Sequence, residues 1–126
     1  MKLRIRGNSI RFRLQRSEVL TLLEHGRVEE CALLGIGPSE RLTYRVELSD
    51  SVSAIETTWH DGCLSVLLPR AMAIAWGHGD ELCLEATQRV AGEQVLRILV
   101  EKDLACVTPR PGEDDHDAYP NPAKSC

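Results

Sequence analysis

The sequence predicts an α+β fold: a small, mostly β barrel made of two pseudo-symmetric ββαββ repeats with two short helices. Its 126 residues, 43% of them hydrophobic, are enough for one compact domain with an apolar core. Two hairpin signals, Gly7-Asn8 and Asp61-Gly62, each separate a pair of alternating apolar and polar runs. The pattern recurs at one offset between the two signals, which predicts a first repeat over 1–50, a second over 51–108 and a tail over 109–126.

The first predicted hairpin is strongly basic on one face. Residues 2–16 read KLRIRGNSIRFRLQR, with six basic residues and no acidic one. Placing Arg6 opposite Ser9 fixes the register of the two strands. The apolar face is then Leu3, Ile5, Ile10, Phe12 and Leu14, and the basic face is Lys2, Arg4, Arg11 and Arg13. Because like charges opposite each other destabilise a strand pair, the basic face requires an anion.

The second predicted hairpin keeps the pattern without the charge. Residues 55–70 read IETTWHDGCLSVLLPR, so that Trp59 faces Leu64 and Thr57 faces Val66. The positions that match the basic ones hold Glu56, Thr58, His60, Ser65 and Leu67. The fold therefore does not require the arginines, and their anion is either an external polyanion or the EDDHD segment of the chain itself.

A short apolar helix follows each hairpin. The first is predicted from Ser17, as N-cap, to Glu24, with Gly26 as its stop. The second is predicted to begin at Pro69 and to stop near Gly77 or Gly79. Two more strands complete each repeat, and the same offset matches Val28, Glu30 and Ala32 with Leu82, Leu84 and Ala86, and Leu42, Tyr44 and Val46 with Leu96, Ile98 and Val100.

The tail over 109–126 differs in composition from the rest of the chain. It contains four of the six prolines and the acidic residues Glu113, Asp114, Asp115 and Asp117. Because this proline density forbids a regular helix or a central strand, the tail is either solvated or packed back in extended form. In the second case, an intramolecular contact of the Glu113–Asp117 segment with the basic hairpin is expected.

Composition narrows the classes of protein and site. No apolar run approaches the roughly 20 residues of a membrane span, and three basic residues interrupt any N-terminal signal, so we expect a cytoplasmic protein with no membrane partner. The five cysteines are odd in number and none is spaced C-x-x-C, which argues against a disulfide scaffold or a zinc site. We expect no cofactor and no catalytic residue; the weak metal candidates are Cys106, His116 and Cys126.

The order strand, Gly-Asn-Ser turn, strand and short helix resembles the MazE- and AbrB-type swapped-hairpin proteins. KLRIRGNSIRFRLQRSEV carries the resemblance in the first repeat and LSVLLPRAMAIAWGHGDELCLEA in the second. In that family two chains exchange hairpins to close one barrel, so the resemblance implies a pseudo-dimeric barrel within this chain. The whole chain also resembles an uncharacterised bacterial family with a GNS-x-R-x-R-L start, an EKD-x-x-C segment and a PNP tail, here beginning at Gly7, Glu101 and Pro120.

The resemblance implies DNA binding, because swapped-hairpin regulators and antitoxins use the basic residues of the hairpin on DNA. The matching positions are Lys2, Arg4, Arg6, Asn8, Arg11 and Arg13. The leading hypothesis is a small non-enzymatic binding protein, a DNA-binding or antitoxin-like transcriptional regulator. The alternative is a protein- or ligand-binding domain with no nucleic-acid role, whose basic hairpin is neutralised by the acidic tail.

Two observations favour the alternative hypothesis. The net charge is -4, and a two-fold operator reader would need both hairpins to be basic. The expected partners are duplex DNA or an acidic protein segment, and the expected state is a monomer or a homodimer.

Overall fold

A computed structural model describes residues 1–105, 111–112 and 116–122. Eight strands and two helices follow one another in the described residues. They are β1 (Lys2–Arg6), β2 (Ser9–Leu14), α1 (Arg16–His25), β3 (Arg27–Leu33), β4 (Arg41–Ser49), β5 (Glu56–His60), β6 (Cys63–Pro69), α2 (Arg70–His78), β7 (Cys83–Ala91) and β8 (Gln94–Lys102). The protein is therefore an α+β protein in which strands predominate, as the sequence predicts.

The described strands form two four-stranded sheets of the same design. The first sheet has the order β1-β2-β8-β7 and the second has the order β3-β4-β6-β5. Each sheet joins two antiparallel hairpins through a parallel central pair, β2 with β8 and β4 with β6. Each hairpin of the first half of the chain thus pairs with a hairpin of the second half.

The closed barrel expected from the sequence is wrong, because the two sheets remain separate along their outer strands. Between β5 and β7 a side chain takes the place of a backbone ladder. Gln88 Oε1 accepts hydrogen bonds from Thr57 N at 2.7 Å and Thr57 Oγ1 at 2.8 Å, and Gln88 Nε2 donates to Thr57 O at 3.3 Å. Because a whole side chain bridges this gap, the two backbones lie too far apart to pair directly.

The register predicted for both hairpins is confirmed. Arg6 pairs with Ser9 and Arg4 with Arg11 in the first hairpin, while Trp59 pairs with Leu64 in the second. Gly7 has φ 54°, and Asp61 and Gly62 have φ 49° and 72°. Two-residue hairpin turns require such positive φ values, which is why glycine, Asn and Asp signal them in the sequence.

The constant offset between the two halves does not hold through β7. Val28 pairs with Val46 in the second sheet, whereas Leu84, and not Leu82, pairs with Val100 in the first sheet. The reason lies in the connections, because one residue, Gly26, separates α1 from β3 while four residues separate α2 from β7. Leu84 therefore occupies the buried place that the sequence alignment gives to Leu82.

The helix limits differ from the prediction at their starts. The first helix begins at Arg16, and Gln15 rather than Ser17 is its N-cap, forming a capping box with Glu18. Pro69 is the last residue of β6 and the N-cap of α2, not its first helical residue. The predicted stops are confirmed, since Gly26 closes α1 in the left-handed conformation and Gly79 closes α2.

The core lies between the inner faces of the two sheets and is closed by the helices at one end. Trp76, Phe12 and Leu22 are among its fully buried side chains. The helices contact each other so closely that a Cβ on Gly77 would lie 2.6 Å from Leu23 Cδ1. They follow β2 and β6, so all four hairpin connections lie at the opposite end, which we call the turn end.

The described part of the tail packs back against the helix end. Tyr119 forms a parallel bridge with Leu104, and its N–H donates to Asp103 O at 2.7 Å. Asp117 Oδ1 accepts from Ser17 N at 3.2 Å and Asp117 Oδ2 accepts from Ser17 Oγ. A carboxylate at this position stabilises the first turn of a helix, because it binds free N–H groups at the positive end of the helix dipole.

Candidate nucleic-acid interface

The outer face of the first sheet collects seven of the 15 lysines and arginines of the chain. Alternate residues of β1 and β2 point away from the core, and β8 adds Arg97 beside Ser9 in the same register. The cations of this basic face are Lys2, Arg4, Arg6, Arg11, Arg13, Arg97 and, on the edge strand β7, Arg89. Two carboxylates from β7 and β8, Glu85 and Glu101, share the face with them.

Two carboxylates partly neutralise one end of the basic face: Glu101 lies in β8, and Asp103 directly follows this strand. Arg11 Nε lies 3.5 Å from Glu101 Oε1, and Arg13 Nε donates to the same oxygen. Lys2 Nζ lies 3.3 Å from Asp103 Oδ2. One glutamate shared between two arginines leaves a net positive charge, and ion pairs this exposed bind only weakly.

The other end of the basic face is not neutralised. Arg4 and Arg6 are exposed on the outer strand β1, and neither side chain forms an ion pair or a hydrogen bond with any residue that the structure describes. Arg6 flanks the two-residue turn that projects at the turn end, and Arg4 lies two residues before it. These two guanidinium groups, with that of the exposed Arg89 on β7, are therefore the cations of the face most available to an external anion.

A cleft of about 670 Å³ lies on the outer face of the first sheet, between these arginines and the residues of β8. Arg4, Arg6, Arg11 and Arg97 line it together with Ser9. Arg97 Nη2 donates to Glu85 Oε1 at 3.0 Å and Arg11 lies beside Glu101, so two of the four arginines are already paired. The cleft offers planar, bidentate donors that suit phosphate or carboxylate oxygens.

Asn8 has a structural role in addition to its position at the hairpin tip. Its side-chain Nδ2 donates to Val95 O at 2.6 Å, and its backbone carbonyl accepts from Arg97 N at 3.0 Å. These two bonds tie the β1–β2 turn to β8. The Asn8 side chain thus positions the basic hairpin tip.

The EKD segment of the chain supplies both carboxylates and a buried cation. Lys102, between Glu101 and Asp103, is buried and donates from Nζ to Gly79 O at 2.7 Å, at the carboxyl end of α2. Its Nζ also lies 5.6 Å from the centre of the Trp76 ring and 5.3 Å from that of Tyr119. Burial lowers the pKa of Lys102, although the nearby Asp80 and Glu81 raise it. Lys102 therefore anchors the tail and does not belong to the basic face.

The expected contact of the Glu113–Asp117 segment with the basic hairpin falls mostly on residues outside the described ranges. Asp117 binds α1 and not the hairpin, while Glu113, Asp114 and Asp115 lie outside the described residues. The metal candidates Cys106 and Cys126 also lie outside them, and His116 is described. Within the described ranges, no group of three metal-ligating side chains occurs.

Sequence reasoning missed the charged residues that β7 and β8 contribute to the face. Arg97 and Glu101 come from β8, far along the chain, and reach the basic hairpin because β8 pairs parallel to β2. Local hairpin patterns do not contain this pairing. The sequence contained a signal for Glu101, which belongs to the EKD segment. The spacing of residues does not show, however, that its strand pairs with β2.

The fold and its face define a small α+β protein with two mixed sheets, one of which is cationic on its outer surface. The chain belongs to the family of unknown function DUF7009, which matches residues 1–123. No curated protein and no solved structure matches the chain. Neither described helix is long and apolar enough to cross a membrane.

Proposed function

We propose that this protein is a non-enzymatic nucleic-acid-binding module of the antitoxin-like or transcriptional-regulator class. The observation that carries the proposal is the pair of unpaired, exposed guanidinium groups of Arg4 and Arg6 on a chain of net charge -4. An acidic protein that gathers cations on one sheet face, and leaves Arg4 and Arg6 of its outer strand without a counter-ion, has an electrostatic footprint for a polyanion.

The spacing of these cations suits a phosphate backbone. Alternate residues of a strand lie about 7 Å apart, so Arg4 and Arg6 form a row along β1, and Arg11 lies beside Arg4 on β2. Phosphate contacts of this kind orient a protein on a duplex without reading its sequence. The strongest contribution is therefore electrostatic and salt-dependent.

The proposal includes the swapped-hairpin relation between the two halves. The register of β2 on β8 supports it, because the pairs Ile10 with Ile98 and Leu64 with Tyr44 occupy equivalent positions in the two sheets. The turn carbonyls behave alike as well, since Asn8 O accepts from Arg97 N and Gly62 O accepts from Thr43 N. In this relation the second hairpin is the uncharged counterpart of the first.

A second candidate, a compact anionic ligand, is favoured by the shape of the cleft. A concavity of about 670 Å³ lies within the range of about 300–1,000 Å³ that holds small ligands. Arg97 lines this cleft but lies away from the exposed strand β1. A substitution of Arg97 therefore distinguishes binding of a compact anion in the cleft from binding of a duplex. We expect Arg97→Gln to abolish nucleotide binding in the cleft and to weaken duplex binding only slightly.

The test is a titration of a fluorescent random-sequence duplex with the full chain, followed by anisotropy at several salt concentrations. We expect Arg4→Gln with Arg6→Gln to reduce the slope of log K against log salt by about 1.8, because about 0.9 is lost per phosphate contact. The matched control is Thr58→Gln with His60→Gln, at the corresponding places of the second hairpin.

Two further results discriminate between the hypotheses. A full-length variant with Glu113→Gln, Asp114→Asn and Asp115→Asn tests masking by the tail, since it removes only charge. A gain of duplex binding in this variant supports masking. No binding at low salt by either the natural chain or this variant overturns the nucleic-acid proposal.

A further inference from the structure

The first sheet has a free backbone edge along β1, whose only partner among the described strands is β2. The pairing of β2 with β8 shows which backbone groups are free. Asn8 O accepts from Arg97 N at 3.0 Å, and Leu14 O accepts from Asp103 N at 2.8 Å. Backbone groups alternate in direction along a strand, so the even-numbered residues of β2 bond to β8 and its odd-numbered residues bond to β1.

Two residues of β1 therefore direct their backbone groups away from the sheet. The odd-numbered residues of β2 pair with Lys2, Arg4 and Arg6, so these three use their N–H and C=O groups within the hairpin. Leu3 and Ile5 alternate with them, and each points one donor and one acceptor along the free edge. An unpaired edge of this kind is a template for another extended chain.

The side chains of β1 define what such a chain must carry. Ile5, on the face of β1 that is turned to the core, is 60% exposed, although its partner Ile10 is buried. On the opposite face Arg4 and Arg6 are exposed, and neither side chain has a counter-ion among the residues that the structure describes. A strand added to this edge is therefore matched when its acidic and apolar residues alternate.

The same features exclude two other occupants of the edge. The outer face of β1 consists of Lys2, Arg4 and Arg6, so a second copy of β1 would set cations against cations in every register. A nucleic-acid backbone does not complement the edge either. Phosphate oxygens only accept hydrogen bonds, and they would leave the carbonyl groups of Leu3 and Ile5 unpaired.

We propose that an extended acidic segment of a partner protein adds to β1 as a fifth strand of the first sheet. Its backbone pairs with Leu3 and Ile5, its carboxylates face Arg4 and Arg6, and its apolar side chains cover Ile5. In strand addition the main-chain hydrogen bonds supply affinity, and the side chains at alternating positions supply specificity. The partner is thus recognised by an alternation of acidic and apolar residues.

The added strand also regulates the proposed function, and this step rests on that function. The acidic segment covers Arg4 and Arg6, the two cations that the proposed function assigns to the duplex. The segment and the duplex therefore exclude each other, so a partner with this sequence pattern releases the protein from nucleic acid.

The probe is a fluorescein-labelled peptide of sequence GEVEVEG, whose binding to the full chain is measured by anisotropy. Two further peptides keep these side chains and carry backbone N-methyl groups, one on its valines and the other on its glutamates. In an added strand only one of these two sets of N–H groups faces β1, in whichever direction the peptide runs. One methylated peptide should therefore lose binding while the other retains it.

A pair of variants tests the edge from the side of the protein. Ile5→Pro removes one donor of the free edge and leaves the hairpin bonds intact, because proline is tolerated where the N–H of an edge strand faces solvent. The matched control is Ile5→Ala, which also loses the apolar side chain but keeps the donor. Thermal melting checks the fold of both variants. We expect Ile5→Pro to raise the dissociation constant of the peptide at least about tenfold more than Ile5→Ala does, and neither variant to change duplex binding.

We expect GEVEVEG to bind the natural chain and to displace the duplex, and one methylated peptide to bind at least about tenfold more weakly than the other. Equal binding of the two methylated peptides overturns the inference, because charge alone then explains the binding. No binding of GEVEVEG by the natural chain up to about 1 mM also overturns it.

The remaining outcomes identify which proposal fails. Binding of GEVEVEG only by the variant with Glu113→Gln, Asp114→Asn and Asp115→Asn would assign the edge to the chain's own tail, and it overturns the assignment to a partner protein. Duplex binding without peptide binding refutes the added strand alone. Peptide binding without duplex binding refutes the proposed function alone.

Discussion

Single residues of the second sheet are set by hydrogen bonds across strands. Tyr44 Oη donates to Glu30 Oε2 at 2.8 Å, and this bond, with partial burial, raises the pKa of Tyr44 to about 12. Ionising the phenol would place two anions against each other on neighbouring strands. The sequence did not predict this pair, because it depends on the register of β3 on β4.

We therefore expect Glu30→Gln to lower the pKa of Tyr44 towards its ordinary value of 10.0, since the neutral amide removes the repulsion. Absorbance at 295 nm as a function of pH measures it, with Tyr119→Phe as background so that Tyr44 alone titrates. A pKa raised in the folded state stabilises the fold below pH 10 and loses that stabilisation as pH rises towards 12. The stability advantage of the natural chain over Glu30→Gln should shrink in that window, and an unchanged Tyr44 pKa would refute the role of Glu30.

Whole elements were predicted where local patterns decide them. Both hairpin turns, the hairpin register and the helix stops follow from glycine, Asn and Asp at fixed places. The start of α1 was misassigned, because both Gln15 and Ser17 can cap a helix, and Asp117 from the tail binds Ser17. The β7 register was misplaced because the length of the connection from α2 is not visible in an alternating pattern.

The seam between β5 and β7 gives a prediction at the scale of elements. Gln88 forms three hydrogen bonds with Thr57, and its replacement by leucine leaves the partly buried N–H and C=O of Thr57 unpaired. We expect Gln88→Leu to reduce the free energy of unfolding by about 1–3 kcal/mol. Urea unfolding measures it, with the exposed Gln94→Leu as control. Equal stability of the two variants would mean that the amide does not hold the sheets together.

The whole molecule combines predicted and unpredicted features. The α+β class and the one-sided basic hairpin could be predicted, because alternation and charge are local properties. The two open sheets could not, since only long-range pairing decides whether β5 meets β7 by backbone or by a side chain. The partial neutralisation of the basic face by Glu101 and Asp103 could not be predicted either, because both residues reach the face only through the pairing of β8 with β2.

The unpaired arginines of β1 are the centre of the functional account. The most direct measurement is the mapping of amide chemical-shift changes in the full chain when a short random-sequence duplex is added at low salt. We predict that the largest changes fall on the outer face of the first sheet, at Arg4, Arg6 and Arg11, and that the β5–β6 hairpin stays unperturbed. Changes centred on the β5–β6 hairpin or on the helices, or no change at any position, would contradict the account.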